Sequence, residues 1–219
     1  IPTTTKTRIV SRNQQMIRID NEGHFSHSPR SLEYFKHHFD QAEVLVVSDY
    51  DKGFCSEDVM DWMFQNLKSG AKVLVDPKGK NWEKYNGAFL VKPNLAELEE
   101  VSGKKVMNED KVIESIGAEV YQRYNFAHLL ITRGKEGMTL INKEGVSHFP
   151  THKVDVFDVS GAGDTAMAVL ALKLQQGYPL GECIRYANLA SAFVVTKPTT
   201  YAINTKELDD MERMYGNEM

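Results

Sequence analysis

Residues Asp158–Thr165 read DVSGAGDT and lead directly into a long apolar stretch, Ala166–Leu174, which is typical of a buried helix. Two glycines with small neighbours let backbone N–H groups converge with no side chain in the way. The first N–H groups of a helix lack partners within the helix, and the helix dipole favours an anion beside them. The segment therefore predicts an anion hole at a helix N-terminus, with the carboxylate of Asp164 in the first turn.

Asp164 has two interpretations on the residues alone. It is an ordinary acidic residue near a helix start, or it takes a proton from a substrate hydroxyl that attacks a phosphoryl group held by the N–H groups of Gly161 to Asp164. The chain contains no GxxxxGK[ST] sequence, which excludes a P-loop site. It also has no GxGxxG after the first predicted core strand, so a Rossmann dinucleotide site has little support.

Short continuous apolar runs alternate with helical patterns along the rest of the chain. Runs that are apolar on both faces are typical of buried parallel strands. The alternation predicts an α/β fold, a mainly parallel sheet with helices on both faces. The predicted core strands are Val44–Val47, Val73–Val75, Ala88–Val91, Leu129–Ile131, Met138–Asn142 and Val146–Phe149, and the predicted helices are Glu57–Ser69, Leu95–Ser102, Glu109–Tyr124, Ala162–Gln176, Leu180–Val195 and Thr205–Tyr215.

Polar residues follow four of these strands, namely Asp49, Asp76, Asn94 and Thr132. Loops are polar in any protein, which accounts for each of them singly. In an open α/β sheet, however, ligands bind outside the carboxyl ends of the strands. The four together predict a site at that edge of the sheet.

The first part of the chain differs from the core in pattern. Residues from Lys6 to Asp20 alternate apolar and polar side chains around Arg12–Gln14, which predicts two half-buried strands forming a flap. With 219 residues and 42% hydrophobic composition, the chain is expected to be one domain. We assign residues 1–22 to the flap and residues 40–219 to the α/β core.

Composition narrows the class of protein. The net charge of −4 gives no basic field for nucleic acid. Cys55 and Cys183 lie far apart without CxxC spacing, which disfavours disulfides and zinc and fits a reducing compartment. No apolar run reaches the ~20 residues of a membrane span, and no signal peptide opens the chain. We expect a cytoplasmic protein without nucleic-acid or membrane partners.

The DVSGAGDT segment resembles the second signature of the ribokinase-like (PfkB) carbohydrate kinases, whose usual form is D-T/V-x-G-A-G-D. The resemblance implies the ribokinase-like fold, with ATP and Mg²⁺ as cofactors. It also implies that Asp164 is the catalytic base, that Gly161, Ala162 and Gly163 form the anion hole, and that Asp158 lies near the nucleotide and its metal.

Three further segments resemble the family in the same order along the chain. Asn94 and Glu97 match its N-x-x-E motif, which organises Mg²⁺ and phosphate through water, a role that suits the ligand preferences of Mg²⁺. The alternative for this pair is a helix capping box. Thr132, Gly134 and Gly137 match the T-x-G-x-x-G turn that lies along the nucleotide, and the alternative is a plain turn before a hairpin.

On the penultimate predicted helix, Asn188 matches the place where the family packs the adenine. Small residues surround it, and these are common on buried helix faces.

A narrower resemblance covers the first half of the chain. Residues Thr5–Gln15 are similar to the T-K-x-R-V-x-x-R-N-Q-Q stretch of bacterial heptose 7-phosphate kinases, the kinase half of a bifunctional enzyme that makes ADP-heptose for lipopolysaccharide. Ser48–Gly53 and Val75–Gly79 resemble that family's S-D-Y-x-K-G and D-P-K-G segments. The resemblance implies phosphoryl transfer to the anomeric hydroxyl of a heptose 7-phosphate.

The chemistry of the flap and nearby loops fits a phosphorylated, polyhydroxylated substrate, because guanidinium groups match phosphate oxygens. Arg8 and Arg12 are an even number apart, so they share a face on a regular strand. The alternative for each basic residue is a solvated surface charge. The candidate substrate-binding residues are Arg8, Arg12, Asn13, Gln14, Asp49, Lys52 and Lys78.

The sequence also departs from the family. Thr199 stands where the glycine of the family's Gly-Thr step is expected, and neither the glycine-rich first signature nor the first strand of the family occurs. We therefore expect about a third of a domain to precede Ile1, an unpaired edge strand, weak catalysis by this chain alone, and a homodimer. The alternatives are another PfkB activity, on a fructose phosphate, ribose or a nucleoside, or a non-catalytic nucleotide-binding fragment.

Overall fold

The computed structural model describes residues 3–11, 14–23, 35, 39 and 41–215. Among these residues the strands are β1 (Thr5–Ser11), β2 (Gln14–Asn21), β3 (Val44–Ser48), β4 (Lys72–Asp76), β5 (Leu90–Val91), β6 (His128–Thr132), β7 (Met138–Asn142) and β8 (Gly145–Phe149). The helices are α1 (Glu57–Asn66), α2 (Leu95–Ser102), α3 (Asp110–Arg123), α4 (Ala162–Gln175), α5 (Leu180–Val194) and α6 (Thr205–Tyr215), with 3₁₀ turns at Glu83–Tyr85 and Gly134–Glu136.

The core of the described chain is one six-stranded sheet in the order β3-β4-β5-β6-β7-β8. Neighbours from β3 to β6 are parallel, and β7 and β8 add antiparallel strands through a hairpin. The predicted mainly parallel α/β sheet is therefore confirmed. Its carboxyl edge gathers the loops that follow β3, β4, β5 and β6, because parallel strands all end on the same side.

Side chains of the central strands alternate between two apolar layers. Val73 and Val75 pack on one face with α1, α2 and α3, whereas Leu74 packs on the other face with α4, α5 and α6. Leu74 is fully buried, and burial of such a side chain is worth about 2 kcal/mol. Two covered faces explain why these strands read as continuous apolar runs.

Two helix ends show how local capping sets element length. The first helix was predicted to reach Ser69, but α1 ends at Asn66, whose side chain donates to the carbonyl of Trp62 at 2.8 Å. That bond gives the Trp62 carbonyl a side-chain donor in the last turn, where the chain leaves the helix. The second helix, α2, ends at Ser102 as predicted. It stops there because Gly103 takes the left-handed conformation and donates its N–H to the Glu99 carbonyl.

Strands β1 and β2 form a separate antiparallel hairpin, as predicted for the flap. The prediction of half-buried strands is wrong for β1, which is exposed along its whole length. A register shift between Ile9 and Val10 also breaks the regular alternation from which Arg8 and Arg12 were predicted to share a face. Arg12 and Asn13 lie outside the described residues, as does the side chain of Gln14.

The hairpin is two-sided. Because residues directly opposite in an antiparallel pair share a face, Arg8 and Arg18 lie on one side, and Ile9 and Ile17 on the other. The charged side also holds the Lys6–Asp20 pair. The apolar side leaves Ile17 52% exposed, so the hairpin offers one charged and one apolar surface.

Candidate active site

The N-terminus of α4 has the geometry of an anion-binding site. Gly161 occupies the N-cap position at φ +83°, and a Cβ there would come within 2.9 Å of Thr200. Thr165 donates to the Gly161 carbonyl, whereas among the described residues the N–H groups of Gly163 and Asp164 meet no protein acceptor. The Asp164 side chain is exposed beside them. Free N–H groups and a nearby carboxylate thus occupy one helix turn.

Asp158 is fixed next to this turn by a backbone hydrogen bond. Its carboxylate accepts the N–H of Ser160 at 2.8 Å. Hydrogen bonds from Ser160 lower the pKa of Asp158, and the charge of Arg8 lowers this pKa further. The charged face of the hairpin therefore lies within electrostatic reach of the segment that opens α4.

A buried ion pair lies beneath the start of α4. The ammonium of Lys92 is 3.2 Å from Asp76, and a Cβ on Gly163 would be 3.5 Å from the same Nζ. Burial raises the pKa of the Asp76 carboxyl, the charge of Lys92 lowers it, and the charges of Glu97 and Asp164 raise it. Sequence reasoning placed Asp76 only among the polar strand ends and missed Lys92. The available signal was a lysine directly after the apolar run Ala88–Val91.

Asn94 and Glu97 form the capping box of α2. The Asn94 side chain accepts the N–H of Glu97 at 3.0 Å, and Glu97 accepts the N–H of Asn94 at 2.9 Å. The capping-box alternative is thus confirmed, and the metal role stays a prediction. Lys78 reaches the other Glu97 oxygen at 3.3 Å, and Thr132 bridges to Asn94 across the strand ends. Four predicted site residues therefore meet at the carboxyl ends of β4, β5 and β6.

This donor set fits Mg²⁺ held through water rather than directly. Both Asn94 and Glu97 present oxygens, which Mg²⁺ prefers, but those oxygens already accept backbone hydrogen bonds. Among the residues that the structure describes, no group of three or more His, Cys, Asp or Glu side chains is arranged to hold a metal ion.

The turn from Thr132 to Gly137 is shaped by close backbone contact. Gly137 has φ +81°, and a Cβ there would lie 2.0 Å from the Phe149 carbonyl oxygen. Gly134 also has a positive φ, but an added Cβ would meet nothing within 4 Å. The second glycine is therefore required by packing, and the first only by its backbone conformation.

Arg133 anchors this turn from within. Its buried guanidinium donates to Asn108 at 2.9 Å, to Asp110 at 2.7 Å and to Thr139 at 3.0 Å. The bond from Arg133 lowers the pKa of Asp110. The network ties the turn to the start of α3 and to β7, and sequence reasoning did not single out this arginine.

Asn188 is buried and bonds to the backbone at the end of β8. Its side-chain amide donates to the carbonyls of Phe149 and Pro150 at 3.1 and 2.9 Å. Both bonds come from the amide nitrogen, so Asn188 of α5 and Gly137 both contact the backbone at Phe149. The amide nitrogen of Asn188 is therefore engaged within the protein, and the adenine contact stays a prediction.

Asp49 is engaged inside the protein. Its carboxylate accepts hydrogen bonds from Lys84 at 2.6 Å, Tyr85 at 2.7 Å and the backbone of Asp51 at 2.8 Å. Burial and the bond to Asp49 raise the pKa of Tyr85, whose hydroxyl in turn accepts the N–H of Lys78 at 3.3 Å. Asp49 was predicted to contact substrate directly. The geometry instead supports a role in which Asp49, through Tyr85, positions the loop that carries Lys78.

Glu22 connects the hairpin to the loop after β3. Its carboxylate forms ion pairs with Lys52 and with Lys6, the latter at 3.4 Å. The hydrogen bond with Lys52 lowers the pKa of Glu22 and raises that of Lys52. Lys52, a predicted substrate residue, therefore faces the hairpin.

No helix in the part of the chain that the structure describes is long and apolar enough to cross a membrane.

The sheet, its two helix layers and the separate hairpin define a ribokinase-like α/β fold. Ribokinase from Thermotoga maritima superimposes with a TM-score of 0.77 at 21% identity, covering 97% of this chain and 70% of that chain. Ribokinase from Arabidopsis thaliana, complexed with ribose and ATP, gives a TM-score of 0.75 at 18% identity, covering 96% of this chain and 69% of that one.

The sequence matches the pfkB family carbohydrate kinases over residues 1–207, and the chain belongs to that family. It is 41% identical over 211 residues to Bifunctional protein HldE of Methylococcus capsulatus, covering 95% of this chain and 44% of the relative. It is 39% identical over 220 residues to the HldE of Aliivibrio salmonicida, covering 99% and 45%. The chain thus spans less than half the length of these curated relatives.

Proposed function

We propose that the protein transfers the γ-phosphoryl group of ATP to a sugar hydroxyl, with D-glycero-D-manno-heptose 7-phosphate as the substrate and the 1,7-bisphosphate as the product. The observation that carries the proposal is the start of α4, where the unpartnered N–H groups of Gly163 and Asp164 lie beside an exposed carboxylate. Such a turn suits a reaction in which a hydroxyl loses a proton while a phosphoryl group gains charge.

In this mechanism Asp164 accepts the proton of the attacking hydroxyl. The backbone N–H groups of Gly161, Gly163 and Asp164 hold the negative charge of the phosphoryl group during transfer. The N–H of Ala162 donates to the Val159 carbonyl at 3.3 Å and would join them by giving up that bond. Bound Mg²⁺ would neutralise phosphate charge, and Asn94 and Glu97 would hold its water ligands. Charge stabilisation and positioning supply most of the catalysis in reactions of this class.

The remaining nucleotide contacts follow from the turn and from α5. Asp158 lies beside the phosphate groups of ATP in this assignment. Thr132, Gly134 and Gly137 form the turn that lies along the rest of the nucleotide. Asn188 supports the adenine end by holding the strand at Phe149.

Substrate phosphate is assigned to the charged face of the hairpin. Arg8 and Arg18 are directly opposite each other, an arrangement of like charges that destabilises an isolated hairpin. Arg18 is neutralised in part by Asp20 at 2.9 Å, whereas the charge of Arg8 acts on Asp158 and lowers its pKa. An anion between hairpin and core would compensate this charge, which supports a phosphorylated sugar. Arg12, Asn13, Gln14, Lys52 and Lys78 stay proposed contacts, with Asp49 positioning the Lys78 loop.

A phosphoryl-transfer panel tests this assignment. ADP formation by the full-length protein would be measured with heptose 7-phosphate, fructose 6-phosphate, ribose, a nucleoside and no sugar. The heptose phosphate should give the highest kcat/KM. A preference for fructose 6-phosphate or ribose would move the protein to another activity of the family, and nucleotide binding without any sugar response would favour a non-catalytic role.

The apolar face of the hairpin suits a second copy of the chain. Ile9, Ile17 and Ile19 lie on it and are about half exposed, and a contiguous apolar surface of this kind marks an interaction site. We therefore propose a homodimer that covers this face.

Sedimentation of Ile17→Asp would test the dimer. The variant should sediment as a monomer, because an interface would have to bury the new charge unpaired. Met107→Asp is a matched control, since Met107 is 51% exposed and Ile17 is 52% exposed. Equal sedimentation of the two variants would contradict the assignment.

The domain limits and location complete the proposal. We assign the chain to one kinase domain, with residues 1–22 as the flap and residues 40–219 as the core, acting in the cytoplasm.

A further inference from the structure

Lys92 is a charged residue in an apolar position. It follows β5 at the centre of the sheet, and its N–H continues the ladder by donating to Val75 at 2.8 Å. Leu90 packs in the layer formed with α4, and Val91 packs in the opposite layer. Alternation along the strand therefore turns Lys92 toward α4, and its side chain is only 3% exposed.

Structural stability alone gives a poor account of this lysine. Taking an ammonium out of water costs several kcal/mol, and apolar residues often replace buried ion pairs without loss of stability. The only partner that lies within ion-pair distance among the described residues is Asp76 at 3.2 Å.

The ammonium has the Asp76 carboxylate at 3.2 Å, and the start of α4 adds positive charge beside it. Its Nζ lies 3.5 Å from where a Cβ of Gly163 would be, just inside the first turn of α4. A helix N-terminus carries about half a positive charge. Two positive groups therefore meet at this point, and the arrangement becomes favourable when an anion binds at the start of α4.

We propose that Lys92 is a positioning residue for phosphoryl transfer, whose buried ammonium reinforces the anion hole of Gly161–Gly163 through the backbone of Gly163. This inference rests on the proposed kinase function. It distinguishes Lys92 from a purely structural lysine, which would only fix Asp76 at the end of β4.

Nucleotide binding provides a readout that does not depend on turnover. The full-length Lys92→Met variant would be titrated with ADP and with a non-hydrolysable ATP analogue, both with Mg²⁺. The affinity ratio of the analogue to ADP should fall about 10-fold, because the lost charge acts on the terminal phosphoryl group a few Å away. The value of kcat should fall about 10²-fold, the scale for removing one electrostatic stabiliser.

Two further variants separate charge from folding. Asp76→Asn/Lys92→Met replaces the ion pair with neutral groups and leaves no unpaired buried charge, so it should fold and show the same loss in ratio. Lys173→Met is the matched control, because Lys173 is also buried but packs against Tyr178 and Tyr186. It should keep the wild-type ratio.

The outcomes are distinct. A ratio within twofold of wild type in the folded double variant would overturn the role of Lys92, and so would an equal fall in Lys173→Met. A wild-type protein that prefers the analogue but phosphorylates no sugar would refute the kinase proposal, and the ratio would still decide the role of Lys92. A wild-type protein that phosphorylates a sugar but shows no preference for the analogue would overturn the role of Lys92 and leave the kinase proposal standing.

Discussion

The start of α4 and the β1–β2 hairpin both present charge to the same region, but the fold holds them differently. At α4, backbone groups and the buried Lys92–Asp76 pair are fixed by the sheet below them. The hairpin is exposed along β1 and is linked to the core through surface ion pairs such as Glu22–Lys52. We infer that the rigid part handles the phosphoryl group, and that the hairpin selects the sugar.

This division predicts different kinetic effects. Changes at α4 should act on kcat because they alter interactions with the transferring group, whereas changes in the hairpin should act mainly on KM. Each prediction below tests one side of the comparison.

Asp164→Asn should have the largest effect. Loss of the general base should lower kcat by about 10²–10⁴-fold, while ATP binding measured by calorimetry stays near that of the wild type. Asp155→Asn, an exposed carboxylate upstream of the segment, should keep full turnover. Near-normal turnover of Asp164→Asn would contradict the proposal that the start of α4 carries out the chemistry.

Gly137→Ala tests how tightly the nucleotide turn is packed. A methyl group would collide with the Phe149 carbonyl at 2.0 Å in a left-handed conformation, so we expect a loss of about 3 kcal/mol in the free energy of unfolding. Gly134→Ala has open space and should lose only about 1 kcal/mol. Denaturant unfolding measures both, and equal losses would mean that the turn is not held by the strand at Phe149.

Arg8→Ala tests the hairpin. If Arg8 binds the substrate phosphate, KM for the sugar phosphate should rise about 10-fold or more, since a hydrogen bond to a charged group contributes about 1.5–3 kcal/mol. The value of kcat and the KM for ATP should change little. Lys6→Ala is the control, because Lys6 pairs with Glu22. A fall in kcat with an unchanged KM would reverse the proposed division.

Thr199→Gly should have the smallest effect, and it should be stabilising. Thr199 has φ +74° in the loop whose next residue packs on Gly161, a costly conformation for a β-branched residue. Glycine removes this strain but adds freedom to the unfolded chain, leaving a gain of about 1 kcal/mol. Thr151→Gly, where φ is not positive, should instead destabilise. Chemical denaturation compares them, and a destabilised Thr199→Gly would contradict the strain.

Much of the fold was predictable because it depends on local patterns. Continuous apolar runs predicted the buried strands, and the hairpin from Met138 to Phe149 appeared with its turn in place. The family pattern has glycine where this chain has Thr199. The structure agrees with that pattern, because Thr199 has a positive φ, a conformation for which glycine is suited.

The site was less predictable because its partners are distant in sequence. Asp49 was predicted to contact substrate, but Lys84 and Tyr85, 35 and 36 residues away, occupy its carboxylate. Asn188 is held by a carbonyl 39 residues away at Phe149. No spacing rule connects such groups.

The sequence by itself determined the repeating elements and the glycine-rich helix start, because periodicities of 2 and 3.6 residues and positive φ angles are local properties. Only the tertiary structure decided that Lys92 meets Asp76 beneath Gly163, and that the charge of Arg8 in the hairpin acts on Asp158. Those contacts depend on strand order and on the packing of α4 over the sheet, which bring together residues that no local pattern relates.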